Sequence, residues 1–278
     1  MQTLDHDFRR GGVGGSDMPI IMGLSSYKTP YHLFLEKTGV ITQTEDMTQV
    51  QYWGQLLEPV IRDEYIKRNG VNVVARNNVV HSDYDFMRGN VDGFIEDTNS
   101  VLEIKTSSAW MADQWGESGT DTIPMSYLIQ VAHYCIVLNA KDAKIAVLIG
   151  GNDYREYTYK RHAVLEQKII DAATSFWQSV LGDVPPPAQT IEDLSKMYQS
   201  KPDVKVQADE KALRAVKQIR RYDKTIKRLE EVKNQYKFEV IEFMQGADCL
   251  VDSEGVPLLT YREAKNGSRR FLLKKEGK

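Results

Sequence analysis

The chain of 278 residues predicts a mixed α/β (α+β) core followed by a C-terminal long helix and β-hairpin. Three patterns predict this. Short β-type runs alternate with amphipathic helical stretches over the first 180 residues. Pro185-Pro186-Pro187 breaks the pattern, because consecutive prolines exclude helix and sheet interior. Beyond them, apolar residues recur in a heptad frame.

Within the core, a glycine-rich turn from Gly11 to Gly15 leads into an apolar helix, Met18 to Leu24. Apolar spacing predicts helices over 30–38 and 54–68, then strands over 71–80 and 86–96. Val101 to Lys105 follows the turn Asp97-Thr98-Asn99-Ser100, so 86–105 reads as a hairpin. An apolar helix over 125–138, strands over 143–149 and 154–160, and an amphipathic helix over 162–181 complete it. The domain limits expected are 1–184 for the core, 185–204 for a Pro-containing linker and 205–278 for a basic tail. The tail's heptad has d positions Ala208, Ala215, Tyr222, Leu229, Tyr236 and Phe243, and a positions Ala212, Ile219, Ile226, Lys233 and Val240. That seam packs on the chain itself or on a partner. Strands follow around Ser253-Glu254-Gly255, closing on Arg269, Arg270, Lys274 and Lys275.

Composition excludes collagen, a disordered tail protein and a disulfide scaffold. No apolar run approaches the roughly 20 residues of a membrane span, and the N-terminus lacks a signal pattern, so a cytoplasmic protein is expected. Two cysteines suit a reducing compartment and are too few for an iron–sulfur cluster. The net charge of −3 conceals a split: residues 1–204 hold 18 Lys/Arg against 27 Asp/Glu, and 205–278 hold 18 against 12. An acidic body is either solvated surface or a carboxylate cluster that takes cations, whereas a basic tail suits a polyanion or an acidic partner.

Gly89-Asn90-Val91-Asp92-Gly93 and Glu103-Ile104-Lys105 carry the chemistry. Residues two apart share a strand face, so Glu103 and Lys105 project together, and the hairpin brings Asp92 beside them. Such groups are costly to bury unless a divalent cation or an anion completes the set, and phosphodiester hydrolysis uses that combination. The same residue types also form ordinary exposed salt bridges. Glu58, in the first turns of the 54–68 helix, either supplies another carboxylate or complements the helix dipole. Gln130 and Tyr134, four apart, share a helix face. Arg9, Arg10 and the glycine turn read as a phosphate cradle at a helix start, or as a plain capped N-terminus.

The ordered set Arg9-x3-Val13-Gly14-Gly15-Ser16-Asp17, Tyr27-Lys28-Thr29-Pro30, Lys37-Thr38-Gly39, Trp53-Gly54 with Glu58, Gly89 to Gly93, Glu103-Ile104-Lys105 and Tyr127-x2-Gln130-x2-His133-Tyr134 resembles the YqaJ-like viral recombinase family. This is the lambda-exonuclease branch of the PD-(D/E)xK nucleases, and the resemblance spans about residues 8–182. It implies a restriction-endonuclease-like core, a central mixed sheet flanked by helices. It also implies a Mg²⁺-dependent exonuclease, with Mn²⁺ as a substitute, that degrades one strand of double-stranded DNA from its 5′ end and leaves 3′ overhangs for phage-type recombination. By position, Asp92, Glu103 and the Ile104 carbonyl would ligate the metal. Lys105 would orient the attacking water, and Glu58 would serve a second metal position or its water shell. Gln130 and Tyr134 would fix the lysine and nucleophile, while Arg9 and Ser16 would grip a 5′-phosphate. Asn90 departs from the family's small hydroxyl residue but retains an amide donor for phosphate. The resemblance further implies a homotrimer, a single-strand annealing protein as partner, a phage or prophage origin and no membrane. Two other readings are a RecB-like single-strand nuclease or endonuclease of the same superfamily, and a non-catalytic coiled-coil scaffold.

Overall fold

A computed structural model describes residues 6–41, 47–264 and 267–274. Lys275 of the expected basic terminus lies outside them. Among the described residues no helix is long and apolar enough to cross a membrane. The chain divides into two compact units, Met1–Ser200 and Lys201–Lys278.

The first unit contains α1 (His6–Arg10), α2 (Met18–Ile21), α3 (Pro30–Thr38), α4 (Gln49–Asn69), β1 (Val73–Val80), β2 (Arg88–Ile95), β3 (Ser100–Ser107), α5 (Met125–Val137), β4 (Asp142–Ile149), β5 (Asp153–Lys160), α6 (Ala163–Leu181) and α7 (Ile191–Met197). Its sheet has order β1-β2-β3-β4-β5, antiparallel except for the β3–β4 pair. Parallel pairing needs a long crossover, which α5 supplies. Alternation along β3 sends Leu102 and Ile104 to one face, against Ile61 and Tyr65 of α4. Val101 faces the larger core on the other side, with Ile129, Val131 and Ala132 of α5 and Ile169 and Phe176 of α6. Glu103 and Lys105 share this second face.

The ends of α3 are written in its sequence. The Thr29 hydroxyl accepts from the His32 N–H, Pro30 occupies the first turn and Gly39 closes the helix at φ 76°. Helix α4 begins five residues before the expected start, because Thr48 and Gln51 form a capping box ahead of a mostly polar turn. Glu58 therefore lies in the middle of α4 rather than its first turns, and the dipole reading falls. The expected helix Met18–Leu24 is a single turn ending at Ile21. The expected linker 185–204 holds α7, whose Asp193 accepts from Thr29 Oγ1 at 2.8 Å and from the Gln189 and Thr190 N–H groups. Residues up to Ser200 thus pack with the core, and the prolines mark a bend within this unit.

The second unit consists of α8 (Glu210–Met244) and an antiparallel sheet of β6 (Cys249–Val251), β7 (Pro257–Glu263) and β8 (Arg269–Leu273). The sheet has one strand more than a hairpin. Within this unit Met244 and Leu259 are buried, whereas Ile219, Tyr222, Ile226, Leu229 and Tyr236 of the seam are exposed.

Candidate active site

The β2–β3 ladder pairs Gly93 with Leu102, and beyond that rung Asp92 substitutes its side chain for the backbone: Oδ2 accepts from the Ile104 N–H at 2.7 Å. The carboxylate is thereby inserted between the two strands, beside Glu103. Glu103 is buried, and its Oε1 accepts from Lys105 Nζ at 2.5 Å and from Gln130 Nε2 at 2.7 Å. Gln130 also reaches Tyr134 Oη at 3.3 Å, so the i,i+4 pair on α5 braces the carboxylate from above the sheet. Tyr127, one turn earlier, lies under the ammonium, with Lys105 Nζ 5.3 Å from the ring centroid. Tyr127 itself stacks on Trp115.

The other oxygen of Glu103, Oε2, is buried without a partner. Burial, then the Asp92 charge, pushes Glu103 up to about 8, and burial also raises Asp92. Burial alone would lower Lys105, but Glu103 and Asp92 outweigh it and keep the ammonium charged. Glu58 reaches the same field from α4: burial first and Asp92 second raise it, while Arg62, its i,i+4 partner in a salt bridge, opposes them. Among the described residues no three Asp, Glu, His or Cys side chains converge as a ready ligand set. The half-buried Asp92 and the buried Glu103 nevertheless suit a hard divalent cation, which commonly takes one or two carboxylates and fills its other positions with water or phosphate. The unpartnered Oε2 is the atom such a cation would satisfy.

The glycine turn is built differently from the expected cradle. Gly11, Gly12, Gly14 and Gly15 have no positive φ, α2 is one turn long, and the Gly14 N–H is already bonded to Asp17 Oδ2 at 2.9 Å. The glycines serve close packing. A Cβ on Gly12 would stand 2.3 Å from the Phe86 carbonyl oxygen, and one on Gly15 2.5 Å from the Tyr134 ring. The turn does place Arg9 Nη2 3.4 Å from Ser16 Oγ. Asn90 uses Oδ1 to accept from the Asn78 N–H, where Asn78 adopts φ 53° within an irregular stretch of β1.

Three groups escaped the sequence reading. Arg62 was recoverable from its i,i+4 spacing to Glu58. Arg88 supports the glycine turn, donating from Nη1 to the Phe8 carbonyl at 2.7 Å while its guanidinium lies against Gly11 and Gly12. The buried Asp17–Lys37 ion pair, at 2.6 Å, had no local signal. Lys37 Nζ also donates to the Arg9 carbonyl at 2.7 Å, so one ammonium ties the Arg9 backbone to the residue after Ser16.

Comparison with known proteins bears on the first unit as a whole. Residues 6–141 match the family described as the YqaJ-like viral recombinase domain. Uncharacterized protein YqaJ of Bacillus subtilis (strain 168) is 39% identical over 182 residues, 64% of this chain, and the chain spans 56% of the length of that relative. The alkaline exonuclease LHK-Exo from Laribacter hongkongensis superposes with a TM-score of 0.55 at 17% identity, covering 69% of this chain and 95% of that one. Its complex with dAMP gives the same score, covering 70% and 97%. The likeness to these structures supports the fold assigned to the first unit.

Proposed function

With residues 6–141 matching the YqaJ-like viral recombinase domain, we propose that the chain is a metal-dependent deoxyribonuclease that degrades double-stranded DNA from its ends in the 5′-to-3′ direction. It would leave 3′ single-stranded overhangs for phage-type recombination with a single-strand annealing protein. The observation that carries this reading is the trio Asp92, Glu103 and Lys105, with one oxygen of the buried Glu103 carboxylate left unpartnered. A structural salt bridge would satisfy both oxygens of so buried a carboxylate.

Asp92, Glu103 and the Ile104 carbonyl would hold Mg²⁺, or Mn²⁺ in its place, and Glu58 would contribute to a second position or to bound water. When bound, the cation supplies Lewis-acid stabilisation of the phosphate and a more acidic water. Lys105 provides fixed positive charge beside the scissile phosphate and orients the nucleophile. Gln130 and Tyr134 keep Glu103 and Lys105 from turning away. Arg9, Ser16 and the Nδ2 of Asn90 are donors for the terminal 5′-phosphate. The resemblance also supports assembly as a homotrimer around the duplex.

The test is digestion of a linear duplex with 5′-phosphate, the same duplex with 5′-hydroxyl, and a closed circle, each with Mg²⁺ and with EDTA. The phosphorylated linear substrate is expected to be shortened from its 5′ ends only with Mg²⁺, and Asp92→Asn and Lys105→Ala to lose cleavage while remaining folded. Full Mg²⁺-dependent activity in Asp92→Asn would refute the assignment, and cutting of the circle would indicate an endonuclease of the same superfamily.

A further inference from the structure

We propose that α8 carries a second DNA-binding surface, a basic face that lies along the phosphate backbone of the duplex. Between Arg214 and Arg228 the helix holds seven Lys or Arg and a single carboxylate, Asp223. At about 100° per residue, all seven fall within an arc of about 140°, and no other residue of that segment lies in it. Ile219, Tyr222 and Ile226 of the apolar seam stand on the opposite side. All seven cations are exposed.

A helix that only faces water gains from carboxylates placed three or four residues from its lysines and arginines. Here Lys217, Arg221 and Lys224, in the middle of the face, have no carboxylate at those spacings, and Asp223 serves only Arg220 and Lys227. Lys217 and Arg221, Arg220 and Lys224, and Lys224 and Arg228 are like-charged pairs at i,i+4, an arrangement that works against the helix unless an anion neutralises it. Among the described residues, Arg214 alone of the seven has a carboxylate within 4 Å, Glu210 at 3.9 Å. The sheet of the same unit repeats the pattern, with Arg262 directly across from Arg270.

The form of the face selects DNA over an acidic protein. Protein interfaces centre on apolar side chains within a polar rim, and this arc contains none. Its cations extend over about 21 Å of helix axis, roughly one per 3 Å, close to the phosphate repeat of about 3.4 Å along one DNA strand.

The experiment is binding of a short fluorescent duplex to the full chain in EDTA, across about 50 to 200 mM NaCl. Without metal no strand is cut, so the result is independent of the activity proposed above. Replacing Arg220, Arg221, Lys227 and Arg228 by Gln, a good helix former, is expected to weaken binding at least tenfold at the lower salt. It should also reduce the slope of log K against log[salt] by about 2 to 4 units, and Arg221→Gln alone by about 0.9. Removing the same charge from exposed Lys67, Lys141, Lys160 and Lys168 should leave the slope unchanged. An unchanged slope in the four-site α8 variant, with helicity retained, overturns the proposal. An equal fall in both four-site variants overturns it as well, since net charge would then account for the effect.

Discussion

His133 is sealed inside the first unit, with Nε2 donating to the Arg88 carbonyl at 2.9 Å and Nδ1 buried without a partner. Burial pushes its pKa down to about 4; Asp17 opposes that shift, and His81 and Lys37 add to it. In the unfolded chain a histidine titrates near 6.5. Between these values the unfolded state binds the proton and the folded state does not, so this residue's contribution to stability is present above about pH 6.5 and is lost as pH falls toward 4. The loss amounts to about 2 kcal/mol at pH 5. Urea unfolding at pH 7 and pH 5 should show it, and His133→Gln should remove that part of the difference; an identical pH dependence in the variant would disprove the assignment. Arg62 makes a parallel case within the site. Arg62→Ala leaves the partly buried Glu58 carboxylate beside Asp92 without its counter-ion, and nuclease activity is expected to fall about 10- to 100-fold. A kcat equal to that of the parent protein would assign the pair to stability alone.

The glycine turn between α1 and α2 shows how one element serves packing and the site together. Gly15→Ala would drive a methyl to 2.5 Å from the Tyr134 ring, whose Oη meets Gln130, whereas a Cβ on Gly14 meets nothing closer than Asp17 Oδ2 at 3.6 Å. Gly15→Ala should therefore cost about 1–3 kcal/mol and lower the cleavage rate, while Gly14→Ala should change both little. Thermal melts with a nuclease assay decide it, and the reverse order would break the packing account. The same elements show what the sequence could convey. Helix α3 was legible at both ends because Thr29, Pro30 and Gly39 are local signals, and Glu103, Lys105, Gln130 and Tyr134 were legible because strand alternation and i,i+4 spacing are fixed by backbone geometry. The start of α4 was missed because its capping box precedes a polar turn with no apolar period. The Asp17–Lys37 pair and the seat of Arg88 depend on which segments meet in space, and nothing near them in the chain encodes that.

At the scale of the whole molecule, the two units differ in how they are held together. Both large apolar clusters lie within residues 1–200, on the two faces of the five-stranded sheet. In the second unit most apolar residues of α8 remain exposed. The first unit should therefore fold without the second, provided that the cut respects α7. Truncation after Ser200 keeps Asp193 bonded to Thr29 Oγ1 and to the N–H groups of Gln189 and Thr190. Truncation after Pro187, at the apparent breaker, removes that carboxylate and leaves the Thr29 hydroxyl without its acceptor, at a cost of about 1–3 kcal/mol. The 1–200 fragment is expected to unfold in one cooperative transition, and the 1–187 fragment to unfold at lower denaturant with a similar slope. Equal midpoints would mean that α7 contributes nothing to the core and that the proline segment is the true edge of the unit. A non-cooperative 1–200 fragment would mean that the sheet and its two apolar layers need the basic unit in order to fold.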